Sequence, residues 1–288
     1  MRYVLNAFAF AGVTTLGGCS EGVLDPKGPI ASAEQLLMLN ATAIMLVVVV
    51  PVILATLGFA WWYRSSNPRA SRSLSEDFEG RLEFVIWSIP ALIVILLGGV
   101  IWIGSHQLDP RVPLAAKADP LRVEVVALDW KWLFIYPDQG IAAVNELVIP
   151  AGTPVSFQIT SASVMNAFFI PQLGSQIYAM GGMATQLNLL ADVPGEYPGF
   201  SSMYSGDGFS DMRFVAKVVH AADFDAWIKQ VRGTGSALDE AGYAALAKPS
   251  EAVPPTTYRS IETDLFRHII DQTISGAGQA GAVQRAGG

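Results

Sequence analysis

A single cysteine, Cys19, occurs in 288 residues, and the three histidines, His106, His220 and His268, lie far apart along the chain. One thiol cannot form an intrachain disulfide, a Cys-x-x-Cys redox pair or a thiolate metal cluster, and the scattered histidines offer no close-spaced ligand set. Charge is scarce too. Only 15% of residues are charged, and 25 acidic residues against 18 basic ones leave a net charge of -7. That balance argues against nucleic acid, which demands basic surface. A hydrophobic share of 51% places the chain on the membrane side of the globular range. The lack of a disulfide does not exclude an extracytoplasmic location, because a domain of about 100 residues can be stable on its apolar core alone.

What is present begins with that cysteine, which follows Leu16-Gly17-Gly18. Arg2 supplies a positive start, and Val4 to Leu16 is mostly apolar but too short to span a bilayer. Residues 1–18 are therefore expected to be a lipoprotein signal peptide, and Cys19 the acylated first residue of the mature chain. The competing reading is an inert cysteine in an ordinary signal anchor. One acyl-bearing residue holds only weakly, so further anchoring is expected.

Two runs supply it. Residues 40–63 and 84–103 are each near the roughly 20 apolar residues that a helix needs to cross about 30 Å of hydrocarbon. Pro51 and Pro90 lie inside them, which is tolerated where neighbouring groups satisfy the freed carbonyls. Trp61, Trp62 and Tyr63 close the first run, and Trp87 and Trp102 flank the second, as suits the headgroup zone. The connecting loop, 64–83, carries Arg64, Arg69, Arg72 and Arg81, whereas residues 19–39 offer only Lys27. The loop is thus expected to be cytoplasmic, and both the 19–39 segment and everything after the second span periplasmic.

Residues 121–219 then change character to short β-type runs punctuated by Pro, Gly and Asn. Candidate strands are Leu121–Leu128, Trp132–Tyr136, Glu146–Ile149, Val155–Thr160, Phe168–Ile170, Gln186–Ala191 and Met212–Val219. Several alternate cleanly, with Val155, Phe157 and Ile159 on one face and Ser156, Gln158 and Thr160 on the other. Such a series predicts a two-sheet sandwich. Residues 220–274 read as a helical extension, with Ala222–Val231, Leu238–Leu246 and Ile261–Ile274 as helices. The Gly- and Ala-rich tail, 275–288, is expected to be disordered.

A lipoprotein-like start, a two-helix hairpin and a periplasmic sandwich together resemble subunit II of the haem-copper respiratory oxidases. The resemblance implies a membrane protein whose hairpin precedes an all-β, cupredoxin-like Greek-key sandwich. In the cytochrome c oxidases of that family the sandwich carries a binuclear copper centre. Its ligands are one His and a later loop of pattern Cys-x-Glu-x-Cys-x-x-x-His-x-x-Met, because bridging thiolates let two coppers share an electron. Here Asn166 stands at the first His position. In the stretch Ser201 to Met212, Ser201 and Ser205 replace the cysteines, Met203 the Glu and Phe209 the second His, and only Met212 is retained. Loss of the Glu also puts the neighbouring magnesium site of that family in doubt. Asp129-Trp130-Lys131-Trp132 and the stretch Asn166 to Met180 are similar to the quinol-oxidase branch of the same family.

That resemblance implies a subunit without metal of its own in an inner-membrane, proton-translocating quinol oxidase. The haems and a copper ion would be in a partner subunit I, where ubiquinol is oxidised and oxygen reduced to water, with further small subunits III and IV beside it. By the same resemblance Glu83, in Arg81-Leu82-Glu83-Phe84, stands at the mouth of a proton pathway; the alternative is an ordinary headgroup-level acid at a helix start. Trp130 matches the tryptophan through which cytochrome c delivers electrons in the other branch, and with no copper behind it a packing role is expected. Asp129 and Lys131 are expected at a solvated edge or against subunit I. No residue is assigned to quinol. Two further readings stay open at this point: a lipid-anchored copper carrier, and a degenerate cupredoxin acting as a binding or sensor module.

Overall fold

The computed structural model describes residues 22–70, 80–114 and 118–286. The expected signal peptide and Cys19 lie outside these residues, as does part of the 64–83 loop. The chain divides into two units, one formed by residues up to Ser32 together with those from Pro110 on, the other by Ala33–Asp109.

The second unit contains most of helix α1 (Pro29–Trp62) and the whole of α2 (Gly80–Gln107). Both are long and apolar enough to cross a membrane, and both carry exposed large apolar side chains such as Leu54, Phe59, Leu92 and Ile95. Helix α1 extends N-terminally beyond the expected first span, 40–63. Proline is favoured at a helix's first position, and the following Ala, Glu, Gln and Leu residues are good helix formers, so α1 starts at Pro29. Its C-terminus is held by Arg64, whose Nη1 donates to the Trp61 carbonyl (2.9 Å) and whose guanidinium lies 5.0 Å from the Trp61 ring centre. Helix α2 likewise begins before the expected second span, 84–103, and Glu83 falls in its first turn, at the helix start where it was expected.

The sandwich is built from twelve strands: β1 (Leu121–Leu128), β2 (Lys131–Tyr136), β3 (Ile141–Val144), β4 (Glu146–Pro150), β5 (Val155–Ser161), β6 (Asn166–Phe169), β7 (Ile177–Ala179), β8 (Thr185–Leu189), β9 (Gly195–Ser201), β10 (Arg213–Val219), β11 (Ser236–Leu238) and β12 (Thr256–Ile261). One sheet runs β11-β12-β3-β2-β1-β5-β8 and the other β4-β10-β9-β6-β7. Both are mixed: β1 pairs parallel with β5, and β10 parallel with β4. Trp132, Phe134, Phe157, Phe168 and Phe214 fill the space between the sheets, with Phe168 and Phe214 stacked at 5.2 Å. Tyr136 ties the layers together, because its hydroxyl donates to the Val148 carbonyl (2.9 Å) and accepts from the Val148 amide (2.8 Å).

Within residues 121–219, three strands escaped the sequence reading. β3 is a short run next to a Gly turn, β7 has only three residues, and β9 contains Gly195, Pro198 and Gly199. Pro198 is tolerated because β9 meets β6 only from Phe200 onward, which leaves the proline on a free edge. Gly199 is required because a Cβ there would strike the Phe214 ring.

The C-terminal extension departs furthest from expectation. It contains α3 (Ala221–Thr234), α4 (Glu240–Leu246) and α5 (Leu265–Ala286), but also contributes β11 and β12 to the larger sheet. β12 pairs antiparallel with β3 through Thr256 and Val144. The extension also builds a second core on the outer face of that sheet, where Leu238, Tyr243, Leu265, Phe266 and Ile269 meet Val126, Leu128, Leu133 and Ile135. This explains why β2 does not alternate, since successive side chains point to opposite faces and here both faces are covered. Helix α5 extends to Ala286, into the Gly- and Ala-rich stretch, where Ala277, Ala280, Ala282 and Ala286 favour helix and Gly276, Gly278 and Gly281 oppose it.

Candidate functional site

The β1–β2 turn, the start of β6 and the 201–212 segment converge at one end of the sandwich. The turn has two residues, Asp129 and Trp130, since Leu128 pairs directly with Lys131. Trp130 adopts φ 62, a left-handed conformation that costs a bulky residue about 1 kcal/mol or more. Its surroundings hold it there. The indole Nε1 donates to the Ser205 carbonyl at 3.0 Å, and the ring rests on two glycines. A Cβ at Gly208 would lie 2.6 Å from Trp130 Cδ2, and one at Gly206 3.2 Å from Cζ2. Gly206 also has φ 109, which favours glycine on backbone grounds alone.

The six positions singled out by resemblance come together around this turn. The Ser201 hydroxyl is buried, within 3.1 Å of both Asn166 Oδ1 and the Met203 carbonyl, and it accepts from the Ala167 amide at 3.4 Å. Asn166, also buried, donates through Nδ2 to the Val164 carbonyl at 3.0 Å. Across the loop the Ser205 hydroxyl donates to Met212 Sδ at 3.8 Å. The Ser201 amide donates to the Met212 carbonyl, and the Met212 amide to the Phe209 carbonyl, each at 3.2 Å. A short 3-10 helix, Asp207–Asp211, carries Phe209, whose ring meets that of Tyr204 edge-on at 5.6 Å.

These donors do not fit a binuclear copper centre. No thiolate or imidazole is among them, and the two hydroxyls are occupied with an amide, a carbonyl and a thioether. Among the described residues, no group of three or more His, Cys, Asp or Glu side chains is placed to hold a metal ion. The histidines are dispersed: His106 Nδ1 donates to the Trp102 carbonyl at 2.8 Å, His220 precedes α3, and His268 lies on α5.

Lys131 is a correction. Expected at a solvated edge or against another subunit, it is 1% exposed, and burial lowers its pKa against the opposing pull of Asp129. Its Nζ donates to the carbonyls of Asp129 (3.1 Å) and Lys248 (2.8 Å) and to Ser250 Oγ (2.6 Å). The signal for this burial was the unbroken apolar run after Lys131, which required cover on both faces of β2. Glu83 is exposed in the first turn of α2.

Comparison with known proteins gives a consistent result. Residues 139–219 match the family described as cytochrome c oxidase subunit II, periplasmic domain, and residues 232–276 match the COX aromatic rich motif. Cytochrome bo(3) ubiquinol oxidase subunit 2 of Pseudomonas aeruginosa is 48% identical over 92% of this chain and 80% of that protein. Ubiquinol oxidase subunit 2 of Acetobacter aceti is 50% identical over 91% of this chain and 85% of that protein. Among solved structures, the periplasmic domain of subunit II of cytochrome oxidase from Bradyrhizobium japonicum is 26% identical, covering 41% of this chain and 96% of that one, with a TM-score of 0.38.

Proposed function

Because this chain belongs to the family of ubiquinol oxidase subunit 2, we propose that it is the copper-free second subunit of a proton-translocating quinol oxidase in the bacterial inner membrane. The observation that carries this reading is the mutual satisfaction of Asn166, Ser201, Ser205 and Met212, which leaves the copper frame folded but closed by its own side chains. Quinol dissolves in the membrane, so its electrons can enter the partner subunit I directly, and an external relay is unnecessary. The haems and copper ion that reduce oxygen to water would reside in that partner.

The work of this chain is then structural, with one exception. Glu83, at the membrane-surface start of α2, is suited by position to capture protons for the pathway into subunit I. The hairpin packs against subunit I and the small subunits III and IV, the sandwich faces the periplasm, and acylation of Cys19 adds a lipid anchor on that same face. The aligned relatives and the apolar lengths of α1 and α2 support this arrangement. The test is donor choice: the purified complex should consume oxygen with ubiquinol and not with reduced cytochrome c. Rapid turnover with cytochrome c would refute a copper-free second subunit.

A further inference from the structure

Residues 248–253 form an irregular strap between α4 and β12, and two buried side chains of the sandwich hold it. Lys131 holds one end: of the three acceptors around its ammonium, Lys248 O and Ser250 Oγ belong to the strap. Asn145 holds the other. It is 5% exposed, accepts from the Trp132 amide through Oδ1 (2.8 Å) and donates through Nδ2 to the Val253 carbonyl (2.8 Å). The Ser250 amide returns a bond to the Asp129 carbonyl at 3.4 Å. Between the two ends the strap reaches the site. A Cβ at Gly208 would lie 2.8 Å from Glu251 Cγ as well as 2.6 Å from Trp130 Cδ2, so strap and indole pack on the same glycine.

We propose that Lys131 and Asn145 form a latch that holds residues 248–253 as a cover over Trp130 and the 206–208 turn, so that this strap and the 203–211 loop open and close as one unit. A buried ammonium needs its acceptors, because leaving donors unmet without water costs far more than a surface hydrogen bond returns. Two of those acceptors leave with the strap. Partial opening therefore strands the cation, and the strap lifts as a whole or stays closed. When it lifts, Glu251 leaves Gly208, one wall of the Trp130 site is lost, and the Trp130 to Ser205 hydrogen bond that fixes the loop meets water. The inference concerns this chain's own mechanics and does not depend on the electron donor.

Hydrogen exchange by mass spectrometry on the full chain in mild detergent tests it. In Lys131→Met, which removes both hydrogen bonds from Nζ to the strap, amides of 248–253 and of 203–211 should both exchange at least about tenfold faster, while β1 and β5 stay protected. Ser250→Ala keeps the buried charge and two of its acceptors, and should give a smaller increase in the same two segments. From the opposite side, Gly208→Ala should speed exchange in 248–253. If the strap quickens in Lys131→Met and Ser250→Ala while 203–211 does not change, the two move independently and the latch is refuted. Unchanged exchange in both segments refutes it equally. If Lys131→Met loosens β1 as well, Ser250→Ala decides by the same criterion.

Discussion

Ser201 and Asn166, two positions that the sequence resemblance matches to a thiolate and an imidazole ligand, are hydrogen-bonded to each other at 3.1 Å inside the sandwich. The pair joins β9 to β6 through a neutral polar contact. The strands at this end thus retain a link that a wholly apolar substitution would not supply.

Removing that link should be measurable. Ser201→Ala leaves Asn166 Oδ1 without its hydroxyl donor and the Ala167 amide without its acceptor, at a cost of about 1–3 kcal/mol. Ser205→Ala loses only a weak bond to a thioether in a partly exposed place and should cost clearly less. Thermal unfolding of the two variants in detergent checks the order; equal midpoints would show that the buried pair contributes nothing special.

Trp130→Phe keeps the aromatic packing but loses the bond to the Ser205 carbonyl, so stability should fall by about 1 kcal/mol. Oxygen uptake with quinol should remain near that of the native complex, because the indole has a packing role here. A large loss of rate in a fully assembled variant would assign Trp130 a part in electron delivery.

Much of this fold was legible in the sequence, and the failures have physical causes. The β1 boundaries followed from the Leu121–Leu128 run, and the hairpin from its apolar length. β9 was hidden because its Gly195, Pro198 and Gly199 read as turn residues, although each is accommodated by an edge or a close ring. The strands of the extension were hidden because short runs such as Thr256–Ile261 acquire meaning only once β3 offers an edge. At the site, the resemblance singled out Asn166, Ser201 and Ser205, and the fold brings these residues to one end of the sandwich. The Lys131 latch could not be found in this way, since its partners lie 117 and 119 residues away.

Glu124, on β1, is half-buried, and burial raises its carboxyl pKa; Asp138 and Asp264 raise it further, while Arg122 and Arg267 oppose. A raised carboxyl favours the protonated folded state. Its contribution to stability is therefore fully present below the ordinary carboxylate range and is lost as pH rises through the raised value. Glu124→Gln should increase the melting temperature at neutral pH, and the gain should vanish at acid pH. A gain that is constant with pH would point to packing instead of charge.

Glu83→Ala should slow oxygen consumption several-fold in the assembled oxidase while haem content stays normal. Unchanged turnover would leave Glu83 as an ordinary acid at a helix start, favoured there by the helix dipole.

The central claim is that this chain works as a metal-free partner of a haem-bearing quinol oxidase subunit, and purification of the tagged chain in mild detergent tests it most directly. The account predicts co-purification with a large haem-containing polypeptide, together with quinol-dependent oxygen uptake. A haem-free monomer without oxygen uptake would contradict it.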